Sequence, residues 1–231
     1  MEEASKLSIR QLKEALISRG VDISDCFEKQ DLVVKYVRTK PTGKRDEKIG
    51  GLDCTIIETN LSHAQHKIGI ICKHGYGADG ANLVPLGEVI CKSWEKEQKN
   101  TNLFWIFPNA PLLLDSTSFQ MRQGGRAWFP LNIFQLLGTP PLQLAELTLE
   151  GLDACVQQIK SLIDYLVQLG FTRIILSGFS QGAIVAAHTA FSIETPNPIV
   201  GLGLFSGAVQ ARVSWTKAAS GILLHCFAIR K

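Results

Sequence analysis

The stretch Thr172-Arg-Ile-Ile-Leu-Ser-Gly-Phe-Ser-Gln-Gly-Ala-Ile-Val-Ala-Ala-His-Thr-Ala-Phe191 decides how the chain is read. Thr172 to Ser177 is a short apolar run rich in isoleucine, as a strand buried on both faces requires. From about Gln181 the pattern changes to a helix carrying Ala183, Ala186 and Ala187, small enough for close packing. Between strand and helix, Gly178-Phe-Ser-Gln-Gly182 fits G-x-S-x-G, the nucleophile elbow. Such a turn is sharp and strained, and strand and helix approach closely, so glycines flank the serine. The helix N-terminus then points free N–H groups at a developing oxyanion. Ser180 is the candidate nucleophile. A serine in a βα turn without catalysis gives the same pentapeptide, so the context carries the reading.

Working outward, Lys73-His-Gly-Tyr-Gly-Ala-Asp-Gly80 follows another apolar run, Ile68 to Cys72. A glycine-rich loop there can bring a second N–H to the oxyanion, which makes Tyr76 and Gln181 the two backbone donors. The loop matches neither the Walker A pattern nor G-x-G-x-x-G, which counts against a phosphate cradle. Further strands are predicted at 103–107, 199–205 and 221–226. Helices are predicted at 82–99, over 152–166 with Leu152, Cys155, Ile159, Leu162, Ile163 and Leu166 on one face, and at 181–191. Strands alternating with helices predict an α/β fold with a parallel sheet and right-handed crossovers. Residues 112–148 read as a long irregular segment, and loops of that length in compact domains are usually functional.

Upstream, Thr39 to Gly51 is polar, charged and broken by Pro and Gly, and reads as a linker over 41–51. Ahead of it, Ser8 and Gln11 fit a capping box. Ile9, Leu12 and Leu16 recur at helical spacing, and a second helix is expected from about Phe27 to Arg38. The predicted division is a helical hairpin at 1–40, the linker, and an α/β domain over 52–231.

Of the 231 residues, 45% are hydrophobic and 19% charged, which excludes intrinsic disorder and collagen-like classes. No apolar run approaches the roughly 20 residues of a membrane span. The first residues carry Glu2, Glu3, Lys6 and Arg10 and lack the apolar core of a secretory signal. Six cysteines are scattered with no C-x-x-C pair, which points to a reducing, cytoplasmic setting and away from a disulfide scaffold or zinc site. The net charge of +3 lies in residues 1–45, where ten basic face seven acidic residues; the remainder holds fourteen of each.

Five motifs carry a family resemblance: HGYGADG at 74–80, PNAP at 108–111, GGRAWFPL at 124–131, GFSQGA at 178–183 and LFSG at 204–207. In order and approximate spacing they resemble the phospholipase/carboxylesterase family, which includes the acyl-protein thioesterases, over about residues 55–226. The resemblance implies an α/β-hydrolase fold cleaving esters or thioesters through a Ser–His–Asp triad, with no metal or organic cofactor. It implies Ser180 as nucleophile, Tyr76 and Gln181 as oxyanion donors, Trp128 in the substrate-facing loop, and His74 as a structural residue. Phe119, Trp128, Phe129 and Phe134 suit either an acyl chain or ordinary core. The substrate would be a small ester or an acylated protein.

The string from Leu7 to Val37 also resembles a SAP-type helix–extended–helix motif. Asp22, Asp25, Glu28 and Asp31 form an acidic face that opposes phosphate binding, so a protein partner through residues 1–40 is expected rather than nucleic acid.

The chain departs from the family pattern after the nucleophile. Acid and base should follow Ser180 in chain order, yet no Asp does, and Glu194 is the one acidic residue there. Neither His188, inside the helix, nor His225, in a strand, is placed as a base. The expectation is a hydrolase domain incomplete at its C-terminus. The alternative is a non-catalytic binding or regulatory protein on the same domain.

Overall fold

The structure, a computed structural model, describes residues 2–18, 22–38, 43–59, 65–97, 100–114, 124–130, 149–193, 198–206 and 223–227. Phe119, Phe134 and Glu194 lie outside them.

The centre is a seven-stranded sheet. In chain order its strands are β1 (Lys44–Ile49), β2 (Leu52–Glu58), β3 (His66–Lys73), β4 (Thr101–Pro108), β7 (Ile174–Phe179), β8 (Ile199–Phe205) and β9 (Leu223–Phe227), and in space they run β1-β2-β4-β3-β7-β8-β9. β4, β3, β7, β8 and β9 are mutually parallel, whereas β1 and β2 join antiparallel at the β4 edge. A separate two-stranded ribbon pairs β5 (Leu112–Leu113) with β6 (Arg126–Ala127).

Alternation along β4 shows why its sequence is a continuous apolar run. Phe104 and Ile106 belong to one core, with α5 (Leu152–Gln168) and α6 (Gln181–Phe191); Leu103, Trp105 and Phe107 belong to another, under α4 (Val84–Lys96). Both faces are covered from Leu103 onward, so every side chain from Leu103 to Pro108 is apolar. The α5 face matches the predicted one, and Leu152, Cys155, Ile159, Leu162, Ile163 and Leu166 are all buried. Each such side chain contributes about 1.5–3 kcal/mol. Among the described residues no helix is long and apolar enough to cross a membrane.

The predicted linker is a correction. Residues 44–49 form β1, so the sheet begins inside the segment read as 41–51 and ahead of residue 52. The strand alternates strictly, but two of its three inward positions are Arg45 and Glu47 rather than apolar residues. Arg45 Nη1 donates to Glu58 Oε1 at 2.9 Å, its Nε lies 3.7 Å from Glu47 Oε2, and its guanidinium sits 5.5 Å from the Phe104 ring centroid. The charges are inward and paired, so the period-two pattern was present without a hydrophobic signal. Burial raises the Glu58 carboxyl, partly offset by Arg45.

At the N-terminus the expected hairpin is a three-helix unit: α1 (Glu2–Lys6), α2 (Ile9–Ser18) and α3 (Lys29–Arg38). The capping box forms as read, Ser8 N–H donating to Gln11 Oε1 at 2.8 Å and Gln11 N–H to Ser8 Oγ at 3.2 Å. The extra helix shows no period in the sequence because it is only five residues long; within it Ala4 is 2% exposed.

Lys73, at the end of β3, is fully buried, and its Nζ donates to Ile71 O at 3.3 Å. Burial pushes its amine down to about 7. The unfolded chain holds a lysine near 10.4, so between about pH 7 and 10 unfolding takes up a proton and stability rises with pH. Lys73→Met should therefore raise the urea midpoint at pH 7, and the gain should shrink toward pH 10. An equal gain at both pH values would show that desolvation of the ammonium is not the cause.

Candidate active site

Ser180 has φ 52° and ψ −116°, a conformation that L residues adopt only under constraint. It lies between the last residue of β7 and the first of α6. Its N–H is held by Phe205 O of β8 at 2.8 Å, and its carbonyl accepts Ala183 N–H at 3.0 Å to start the helix. The flanking glycines are steric necessities. A Cβ on Gly178 would lie 2.3 Å from Gly182 C, and one on Gly182 would lie 2.4 Å from Lys73 O and 2.5 Å from His74 O. The start of α6 thus presses on the end of β3, where the glycine-rich loop begins. Gly75 closes the approach from the other side, since a Cβ there would sit 3.3 Å from Ser180 Cβ.

The structure therefore brings the 74–80 loop against the elbow. Tyr76, half-buried, follows Gly75 directly, and Gln181 and Gly182 occupy the first turn of α6, where backbone N–H groups have no intrahelical acceptor. Tyr76 and Gln181 lie on the two segments flanking Ser180.

Three loops are tied into this arrangement. Gln181 is 1% exposed; its Oε1 accepts Trp128 N–H at 2.9 Å and its Nε2 donates to Phe129 O at 2.7 Å. Trp128 Nε1 donates to His74 O at 2.9 Å, and the Cys155 thiol donates to Trp128 O. His74 Nε2 accepts Ala110 N–H at 3.0 Å, and Nδ1 lies 2.8 Å from Gly75 O. Arg126 Nη1 donates to Ala110 O at 2.9 Å, while Gly77 N–H and Arg126 N–H bond Arg126 O and Ala78 O in return. The 74–79, 108–111 and 125–129 segments are thus fixed to one another and to α6.

Trp128 lies beside His74 and Gln181 and is 1% exposed, with its indole N–H spent on His74 O. His188 is buried on α6, about 10 Å along the helix from the elbow. His225 lies on β9, opposite Gly203. The resemblance implied a structural His74, but the bond of its ring to Ala110, the Gln181 side-chain clamp and the Arg126 contact were not anticipated. Their motifs were visible, but these partners lie 16 to 53 residues apart and the bonds follow from the fold.

A mostly parallel sheet with flanking helices and a strained serine at a βα elbow is the α/β-hydrolase fold. The profile described as phospholipase/carboxylesterase matches residues 53–229, and the chain belongs to that family. It is similar to acyl-protein thioesterase 1 of Yarrowia lipolytica, 33% identical over 142 residues, 60% of this chain and 57% of that protein. It is also similar to acyl-protein thioesterase 1 of Gibberella zeae, 30% identical over 125 residues, 53% and 50% of the two chains. The chain thus spans about half the length of these curated relatives. Among solved structures, esterase PE8 is 25% identical, covering 80% of this chain and 72% of the other, with a TM-score of 0.48. Residues 1–39 match an E3 ubiquitin-protein ligase rififylin-like domain, which replaces the SAP-type reading.

Gln181→Met keeps the backbone donor but leaves the buried Trp128 N–H and Phe129 carbonyl unsatisfied. It should destabilise the protein by about 2–6 kcal/mol, at 1–3 kcal/mol per orphaned group. Urea unfolding measures this, and a loss below about 0.5 kcal/mol would mean that the clamp does not hold in solution.

Proposed function

We propose that the chain is an esterase or thioesterase-type hydrolase in which Ser180 attacks a carboxylic ester or thioester carbonyl. The observation that carries this reading is the strained φ of Ser180, held at a helix N-terminus with the glycine-rich loop against it. Strain at a serine, where glycine would relieve it, supports a side chain kept for use. The Tyr76 and Gln181 N–H groups would hold the oxyanion as the carbonyl carbon becomes tetrahedral, and such a donor is worth about 3–4 kcal/mol of barrier. Trp128 acts here as a support of the oxyanion loop, and substrate would meet the outer side of that loop. The acylated-protein substrate class follows from the likeness to acyl-protein thioesterases. The mechanism uses no metal or organic cofactor. The helical unit, by its likeness to a ligase-associated domain, would serve a protein partner rather than nucleic acid. A cytoplasmic location fits the unpaired cysteines.

One observation favours a second reading, a binding protein with an idle nucleophile. Both ring nitrogens of His74 are engaged, which leaves that histidine no free lone pair with which to take the Ser180 proton. A serine without a base is a poor nucleophile.

Fluorophosphonate labelling separates the two. The proposed activity predicts rapid labelling of the full chain, none of Ser180→Ala, and hydrolysis of p-nitrophenyl esters or acyl thioesters that is lost in the same variant. Folded protein that resists labelling would favour the binding reading. Gly75→Ala should slow labelling about tenfold or more, because its Cβ would crowd Ser180 and shift the oxyanion loop.

A further inference from the structure

The Ala110 N–H fixes the protonation state of His74. A backbone N–H can only donate, so Nε2, 3.0 Å away, carries a lone pair. The proton of the neutral ring is then on Nδ1, 2.8 Å from Gly75 O, and donates to it. The ring thereby joins the turn after β4 to the very peptide that precedes Tyr76. It is wholly buried, 5.5 Å from the Trp128 ring centroid. Protonated on both nitrogens, the ring would set its Nε2–H against the Ala110 N–H, donor facing donor in a buried site. One of the two must move.

We propose that His74 is a pH-gated positioning residue: its neutral Nδ1–H form latches the oxyanion loop to the Ala110 turn, and protonation of Nε2 releases the latch and withdraws the Tyr76 donor from Ser180. The inference rests on the hydrolase reading above and deepens it. In a serine hydrolase the acid limb of the pH profile is ordinarily ascribed to the general base. Here it belongs to a histidine that touches neither nucleophile nor substrate.

The surroundings are consistent. Among the described residues, the charged groups acting on the ring are Asp79 from its own loop and Arg126 from β6; the buried Lys73 is its chain neighbour, with Nζ turned to Ile71 O, and α6 contributes the neutral Gln181. Burial is the dominant influence and lowers the imidazole below 6.5, the Gly75 carbonyl and Asp79 oppose it, and Arg126 adds to it. The folded protein therefore binds this proton less readily than the unfolded chain. The latch is whole at neutral pH and above and is lost as pH falls below the folded value, taking some stability with it.

The test is the pH dependence of fluorophosphonate labelling, with wild type compared to His74→Gln. A glutamine Oε1 reaches about as far as Nε2 and accepts the Ala110 N–H without titrating. Wild type should lose about tenfold in labelling rate for each pH unit below the His74 pKa. His74→Gln should have a lower plateau and no such limb. The comparison is repeated in Lys73→Met, which removes the other nearby group that titrates near neutrality. In parallel, nitrogen NMR of the wild-type imidazole should find Nδ1 protonated and Nε2 bare at pH 7, with the Ala110 amide shifting as Nε2 titrates. An unchanged acid limb in His74→Gln, or a protonated Nε2 at pH 7, overturns the proposal. Should wild type resist labelling at every pH, the hydrolase reading falls. The NMR titration then still decides the latch: an Ala110 amide that follows Nε2 upholds it, and one that does not refutes it.

Discussion

The contact on which the rest depends is the approach of α6 to the end of β3. Gly182 stands so close to the Lys73 and His74 carbonyls that no side chain fits. That approach forces the turn at Ser180, and the turn forces the positive φ. The energy for holding a serine there comes from the surroundings: the Phe205 carbonyl on its N–H, the buried alanines of α6, and β3 and β8 on either side of β7. Local strain persists only where the neighbourhood over-determines it.

The same contact explains the polar network. A helix start, a strand end and three loops converge in a buried volume, and each backbone group there needs a partner. Gln181 meets two of them with one amide. His74 meets two more with one ring, and Trp128 spans between them. The side chains of the motifs are therefore divided by task. Ser180 is the nucleophile in the proposed reading, and the histidine, tryptophan and glutamine around it hold the backbone that does the polarising. Electrostatic preorganisation of this kind is built from supports, not from the donors alone.

Buried charge shows two solutions in one sheet. Arg45 between Glu47 and Glu58 keeps its charge by pairing and by lying on Phe104. Among the described residues Lys73 faces a carbonyl and no carboxylate, and its amine is driven toward neutrality. Pairing and deprotonation are the two ways a protein interior accepts an ionisable side chain.

What the sequence settled by itself was whatever repeats at short range. The parallel strands, the α5 face, the capping box at Ser8 and the elbow at 178–182 were legible because their residues report period, turn or cap within a few positions. The antiparallel start of the sheet was not, because Arg45 and Glu47 occupy inward positions and erase the hydrophobic alternation of β1. Helix α1 was not, being too short to show a period. Tertiary structure alone decided the tasks of His74, Gln181 and Trp128. Their partners come from loops as many as 54 residues away, and nothing in a local pattern states which backbone group a buried side chain will find. Only the packing of α6 on β3 brings those groups within bonding distance.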